Sequence, residues 1–429
     1  MKRNVTLTLG LLAASTPLAT HAGGLFLYED ATSAVGLAGA GFAARAQDAS
    51  TLSKNPAGMS LLPGSQFTGG LELLVGNITL TPNSQTSSHL GGNNGGNAFP
   101  LLPEGSAYFT HQLSDKFTLG LGMMSYFGLA EEYNSDWVGR YYVKEGALLG
   151  ISFLPTVSYK INEWLAVGAG MNAMNGMLNS KVAVNNFSIG GPAWSGGDGQ
   201  LKIDDNNWGF GATAGAIIKL SEKTRLGLSY LSRVNLDFSD VPEWSNLRPG
   251  LETALNNRGL LNANLDLGVT VPQQVMGGLY HELNDKWSVM VDAGWQNWEK
   301  FGYVSVGVAS DDPTSLTLDN QYQNTWHLGG GAIYKHSDKW SFTGGVGYDS
   351  SAVSDANRTV TLPMGQQWRF GLGAMWQVSR KVNVGAAWDL IWMGDMSVDQ
   401  YRGALAGRVA GTYEGAYVNV FALNLNWKL

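Results

Sequence analysis

The chain has 429 residues, 57 of them glycine and none cysteine, with 14% charged residues and a formal net charge of −7. Without cysteine there is no disulfide framework, no thiolate nucleophile and no cysteine metal site. The acidic balance and the lack of a basic run argue against nucleic acid as a partner.

Residues 1–22 read as a signal peptide. Lys2 and Arg3 form the basic region, Val5 to Ala14 the apolar one, and Thr20-His21-Ala22 a cleavage site that would leave Gly23 first. That apolar stretch is shorter than the ~20 residues a membrane-crossing helix needs. Residues 23–62 carry no strand pattern. A run of small residues (Gly36, Ala38, Gly39, Ala40, Gly41, Ala43, Ala44, Ala46) leads to Asp48, Ser50 and then Asn55-Pro56-Ala57-Gly58-Met59. Short helices are expected here, capped by Asp48 or Ser50. The segment has no side to bury in lipid, so it is expected to form a hatch inside a wider structure. The alternative is a periplasmic tail without a gating role.

From residue 63 onward the sequence alternates. After Lys286, one face reads Trp287, Val289, Val291, Ala293, Trp295 and the other Ser288, Met290, Asp292, Gly294, Gln296. Trp368, Phe370, Leu372, Ala374 and Trp376 repeat the pattern, as do Tyr417, Phe421, Leu423, Leu425, Trp427 and Leu429. Period two is the signature of a strand, and a greasy face backed by a small or polar one suits lipid outside and water or protein inside. Six short turns recur: 114–116, 162–164, 221–223, 284–286, 337–339 and 379–381. Between them lie long irregular segments near 81–103, 128–148, 179–205, 239–267, 300–320, 351–362 and 394–415. Short periplasmic turns alternating with long outer loops predict an all-β fold: a fourteen-stranded antiparallel transmembrane barrel over 63–429. A soluble sandwich would expose too much aromatic surface.

Several residue groups invite a role. Trp244, Leu247, Leu251 and Leu255 fall at helical spacing in an outer loop, with Pro249 at or near the helix start. Pro249 would otherwise break that 244–255 helix into two. The residues suit an apolar groove, or packing on the neighbouring loop through Phe187, Ile189 or Trp194. Arg225, Arg233, Asp237, Asp292, Arg369 and Asp389 are expected to face the lumen, pairing with one another or with Arg45 and Asp48. Arg233 or Lys181 could meet a carboxylate. Met123, Met171, Met174 and Met177 are adaptable fillers, with Met174 on the opposite face from Met171 and Met177. No histidine has a serine and an acid at suggestive spacing, so an enzyme is not expected.

Ser33 to Gly41, Asp48-Ala49-Ser50-Thr51, the Asn55 to Met59 element, Tyr126 to Ala130, Trp137 to Tyr141 and Leu154 to Tyr159 together resemble the outer-membrane long-chain fatty acid and aromatic-hydrocarbon transporter family (FadL/TodX-like). The resemblance implies a barrel plugged by an N-terminal hatch, and passive uptake of a hydrophobic small molecule through the outer membrane of a Gram-negative bacterium. The ligand would move from a loop groove to a pocket beside the hatch. Movement of the hatch N-terminus would free it, with Gly23, Asn55, Pro56 and Ala57 as candidate ligand-binding or gating residues. It would leave sideways where the third strand kinks, at Gly120, Gly122, Phe127 and Gly128. Long-chain fatty acids are the expected cargo. Monoaromatic hydrocarbons, or export of oxidised lipids, are alternatives, and a general porin is a distant one. No cofactor is expected; lipid and lipopolysaccharide are the expected surroundings of a monomer.

Overall fold

The computed structural model describes residues 26, 28, 30, 32–186, 196–310, 313–361 and 363–429. The signal peptide, Gly23, Phe187, Ile189 and Trp194 lie outside them.

Fourteen strands make one closed antiparallel barrel. They are β1 (Ser65–Asn77), β2 (Leu102–Gln112), β3 (Phe117–Glu132), β4 (Glu145–Lys160), β5 (Leu165–Val184), β6 (Gly199–Lys219) and β7 (Thr224–Leu231). After these come β8 (Gln274–Glu282), β9 (Trp287–Gln296), β10 (Thr325–Lys335), β11 (Trp340–Asp349), β12 (Gln367–Gln377), β13 (Val382–Tyr401) and β14 (Arg408–Lys428). Each strand pairs with the next, and β14 pairs with β1 from Tyr417↔Asn77 to Lys428↔Gln66. The strands thus close into a ring, as a bilayer demands of a sheet.

Alternation sets the two faces. On β12, Trp368, Phe370, Leu372 and Trp376 are exposed while Arg369 is buried. On β14, Leu423 is 64% exposed and its neighbours Ala422 and Asn424 are buried. An apolar outer face this exposed is stable only against hydrocarbon. Rings mark its lower rim near the six short turns, where Phe117 meets Tyr159, Trp287 meets Tyr334 and Trp340 meets Trp376. Trp208, Trp326, Trp368 and Trp392 mark the upper rim.

All six turns fall between strands as expected. The outer segments differ from expectation. Residues near 239–267 and 300–320 are not irregular throughout. The strands Val234–Asp240, Asn264–Val271, Tyr303–Ala309 and Thr314–Asp319 pair into a separate four-stranded sheet. Val234, Leu236 and Phe238 turn one face of it inward, against glycines of β5 and β6 such as Gly176 and Gly209. Residues 394–415 are likewise mostly strand: β13 and β14 run on as one long hairpin, joined by the short helix Gly403–Ala406.

Within the barrel, residues 32–62 form the plug. They hold two 3-10 turns, Val35–Leu37 and Pro56–Leu61, and one helical turn, Thr51–Lys54. Ser50 precedes that turn but makes no side-chain cap. Asp48 instead accepts from the Ser50 backbone N–H at 3.0 Å. The barrel's glycines explain the fit. A side chain at Gly345 would strike the backbone of Leu37, one at Gly227 that of Ala43, one at Gly371 those of Val35 and Ala38, and one at Gly168 those of Pro56 and Ala57. Inward glycines therefore let the plug's main chain lie directly on the wall.

Candidate functional site: the plug and the interrupted wall

The Asn-Pro-Ala element is an anchor. Asn55 Nδ2 donates to Ala43 O at 2.7 Å and to Ala216 O on β6 at 3.1 Å, while its Oδ1 accepts from Ala57 N at 3.1 Å. Pro56 fits the first position of its turn because it has no N–H to satisfy. Ser158 on β4 donates to Ala57 O at 3.2 Å. Thus one motif closes a turn inside the plug and ties it to two strands.

Charges inside the lumen are also spent on the plug. Asp292 on β9 accepts from Gly41 N at 2.5 Å and Ala43 N at 3.2 Å. Arg225 on β7 donates to Ala44 O at 2.7 Å and to Arg45 O, and stacks over Tyr280 at 3.9 Å. Burial pushes the Arg45 guanidinium of the plug below its ordinary value, with the Asp48 carboxylate opposing the shift. Arg369 on β12 pairs with Asp349 on β11 at 3.0 Å. It also donates to Phe26 O at 3.2 Å. Tyr28 donates to Asp349 at 2.9 Å, receives from Gln296 at 2.9 Å and lies 4.3 Å from the His327 ring. The start of the described chain is latched to the wall opposite β3.

β3 breaks the wall. Between Ser125 and Phe127 its register against β4 slips by one residue, leaving Tyr126 as the extra residue of a bulge. Before the bulge the inward positions are Thr118, Gly120, Gly122 and Met124; beyond it Phe127 is fully buried. Phe127 faces Trp298 and Phe301 and forms an isolated antiparallel bridge with Phe26. The β2–β3 ladder stops at Ala107↔Met123, although β3 continues to Glu132 along β4. Above that rung the two strands part.

Two cavities flank the kinked strand. One, of about 10 Å3, lies on the plug side and is lined by Phe26, Phe42, Met124, Tyr126, Asp30 and Lys54 among others. Lys54 Nζ is 3.9 Å from Asp30 and both are buried. The other, of about 50 Å3, lies between β3 and the inner faces of β1, β13 and β14. Leu74, Phe99, Gly128, Glu131, Met364 and Met393 are part of its lining.

Several expected contacts are displaced. Met123 is 42% exposed on the lipid face; its inward neighbour is Met124. Lys181 sits on the outer face of β5, paired with Glu145 at 2.7 Å, and Arg233 is exposed at the end of β7. Neither cation lines a lumenal pocket. Asp237 is exposed on the four-stranded sheet rather than in the lumen. Gly120 and Gly122 do not leave a gap: a side chain there would collide with Leu52, and at Gly120 also with Met59. They seat the plug, whereas Gly128 lines the larger cavity. Met174 is buried and Met171 exposed, on opposite faces as read. In the outer loops the helix is shorter than expected: it begins at Pro249, runs to Asn256 and buries Leu255, while Trp244 lies in a short strand paired with β6 and Leu247 precedes the helix; Trp244, Leu247 and Leu251 still pack on the same cluster. Arg369 faces inward and pairs as expected, but sequence reading missed its partners Tyr28 and Asp349, and also Lys54 and Glu131, because alternation marks a face and not its occupant. Arg140 bonds Asp198 at 2.6 Å and so ties the second outer loop to the start of β6.

Residues 11–429 match the family model described as outer membrane protein transport protein (OMPP1/FadL/TodX). The chain belongs to this family. Outer membrane protein P1 of Haemophilus influenzae is 27% identical, over 97% of this chain and 98% of its own length. The long-chain fatty acid transport protein of Escherichia coli O6:H1 is 25% identical, over 85% and 86% respectively. Among solved structures, a Pseudomonas aeruginosa FadL homologue superposes with a TM-score of 0.84 at 21% identity, covering 94% of this chain and 99% of that one. The Pseudomonas putida toluene transporter TodX superposes at 0.66 with 16% identity, covering 95% and 98%. Membership of the FadL/TodX family makes this a non-catalytic outer-membrane channel for hydrophobic small molecules in a Gram-negative bacterium.

Proposed function

We propose that this protein takes up hydrophobic small molecules, long-chain fatty acids first among them, by lateral release through its own wall. The observation that carries the reading is the β2–β3 ladder ending at Met123, with Phe26 bridged to Phe127 beside the break. A ligand settles on apolar outer-loop residues, Trp244, Leu247, Leu251 and Leu255 among them. It then reaches the plug-side cavity, which widens as Phe26 withdraws, where Lys54, beside Asp30, brings a cation near a carboxylate. Withdrawal of the chain's beginning, from Gly23 through Phe26, frees the path between β2 and β3. Each CH₂ gains about 0.8 kcal/mol on leaving water, so partition and downstream consumption drive the flow without an energy source. Closure of the barrel ring removes terminal-strand pairing in the bilayer as a route to association, which supports a monomer surrounded by lipid and lipopolysaccharide. A monoaromatic cargo is the second reading, favoured by the larger cavity, whose lining holds no Lys, Arg or His among the described residues.

The test uses the absence of cysteine. Bridged antiparallel residues have Cα atoms about 4.5–5.5 Å apart, within disulfide reach. Oxidised Phe26→Cys/Phe127→Cys protein is expected to lose oleate uptake and to regain it on reduction. Full uptake by quantitatively cross-linked protein would rule out release by withdrawal of this segment.

A further inference from the structure

The larger cavity holds one feature that a purely apolar pocket does not need. Glu131 lines it and is 8% exposed. Its Oε2 is sealed from water and has no hydrogen-bond partner among the described residues. The Tyr133 hydroxyl comes within hydrogen-bonding reach of the carboxyl, but its closer partners are Val360 O, to which it donates at 3.0 Å, and Tyr413, with which it shares a hydrogen bond at 3.0 Å, so Oε2 keeps no partner of its own. Gln367 is the other polar lining residue; the remainder are aliphatic, aromatic or glycine, with Pro363 and the thioethers of Met364 and Met393. A buried carboxyl oxygen left without a partner is costly, and the bulge is what brings it here. Without the one-residue slip at Tyr126, the positions of β3 beyond it would exchange faces and Glu131 would turn outward.

We propose that Glu131 makes this cavity a selective station for apolar molecules carrying a hydroxyl group. The hydroxyl donates to, or accepts from, the waiting carboxyl while the hydrocarbon body lies on Leu74, Phe99, Met364 and Met393. A carboxylate is turned away: it would bring a second acid into a dry site with no lining cation. A plain hydrocarbon fits the walls but leaves Glu131 unsatisfied. The same asymmetry lets a buried polar group reject analogues that lack its partner. The volume, about 50 Å3, exceeds the roughly 10–15 Å3 needed for one water, so a head group can enter. The station's use in transport rests on the lateral route proposed above; its ligand preference does not.

The test is calorimetric titration of the folded full chain in nanodiscs at pH 8 with 4-ethylphenol, 1-octanol, ethylbenzene and octanoate. Met364→Trp, which fills the cavity, identifies the heat that belongs to this site. At least one of the two hydroxyl compounds is expected to bind there about tenfold more tightly than ethylbenzene, the gain of one hydrogen bond, with octanoate weakest. Preference for 4-ethylphenol alone would point to aryl cargo and for 1-octanol alone to alkyl cargo; either supports the assignment. Glu131→Leu is expected to erase the preference, and the near-isosteric Glu131→Gln to keep it while binding octanoate better. Octanoate binding the native protein as tightly as 1-octanol, or a hydroxyl preference surviving in Glu131→Leu, would overturn it. Loss of the lateral route in the Phe26–Phe127 experiment would leave these affinities unchanged, so the two failures are distinct.

Discussion

The two sides of β3 follow different rules. Toward β4 it is paired rung after rung from Phe117↔Tyr159 to Glu132↔Glu145, with a single slip. Toward β2 the pairing runs only from Thr118↔Gln112 to Met123↔Ala107. The same strand is therefore ordinary wall on one side and a seam on the other. The cause is local. One surplus residue, Tyr126, raises the twist and re-aims everything beyond it. Below the bulge the strand's glycines receive Leu52 and Met59 of the plug; above it Phe127 meets Phe26, and Glu131 reaches an apolar cavity. A bulge thus joins three devices: the seam, the seat of the plug and the polar point of a pocket.

That comparison can be broken most severely by deleting Tyr126. The register then becomes continuous, β3 rejoins β2 up to the rim, and oleate uptake is expected to fall to background. Amide exchange across residues 102–106 and 124–128 should slow, and unchanged exchange would mean that the bulge is not what opens the seam. Arg369→Met attacks the latch from the far wall. It leaves buried Asp349 without its guanidinium and removes the bond to Phe26 O, at a cost of about 3–5 kcal/mol. Limited proteolysis should cut near residues 26–30 sooner while the barrel stays heat-modifiable on gels. Lys54→Met sharpens the contrast between the cavities. Oleate affinity should drop about tenfold, the loss of a charge-assisted contact, and toluene affinity should stay within twofold. Lys181→Ala is the smallest effect. Its pair with Glu145 is partly exposed on the outer face, so stability should change by less than about 1 kcal/mol. Uptake should be unaltered, and a large uptake defect would return Lys181 to the route.

Part of the site was legible and part was hidden for definable reasons. The Asn55-Pro56-Ala57 element stands out because a cap followed by proline is a local signal. The four-stranded outer sheet was also written in the chain: Val234-Asn235-Leu236-Asp237-Phe238 and Asn264-Leu265-Asp266-Leu267 alternate as clearly as any barrel strand. Their period says that they are strands but not which sheet they join, and fourteen others already filled the barrel. Lys181 and Arg233 illustrate the opposite error. Charge type suggested a ligand contact, whereas position put one on the outer face and the other at an exposed strand end.

By itself the sequence determined the wall. Alternation, polar turns and rim aromatics act between neighbours, or between strands adjacent in order, and each can be read within about ten residues. Only tertiary structure decided what the wall encloses. Tyr28 finds Asp349 across 321 residues and Gly41 finds Asp292 across 251. Such contacts depend on closure of the ring and on where one bulge shifts the pleat, and no period in the chain encodes either.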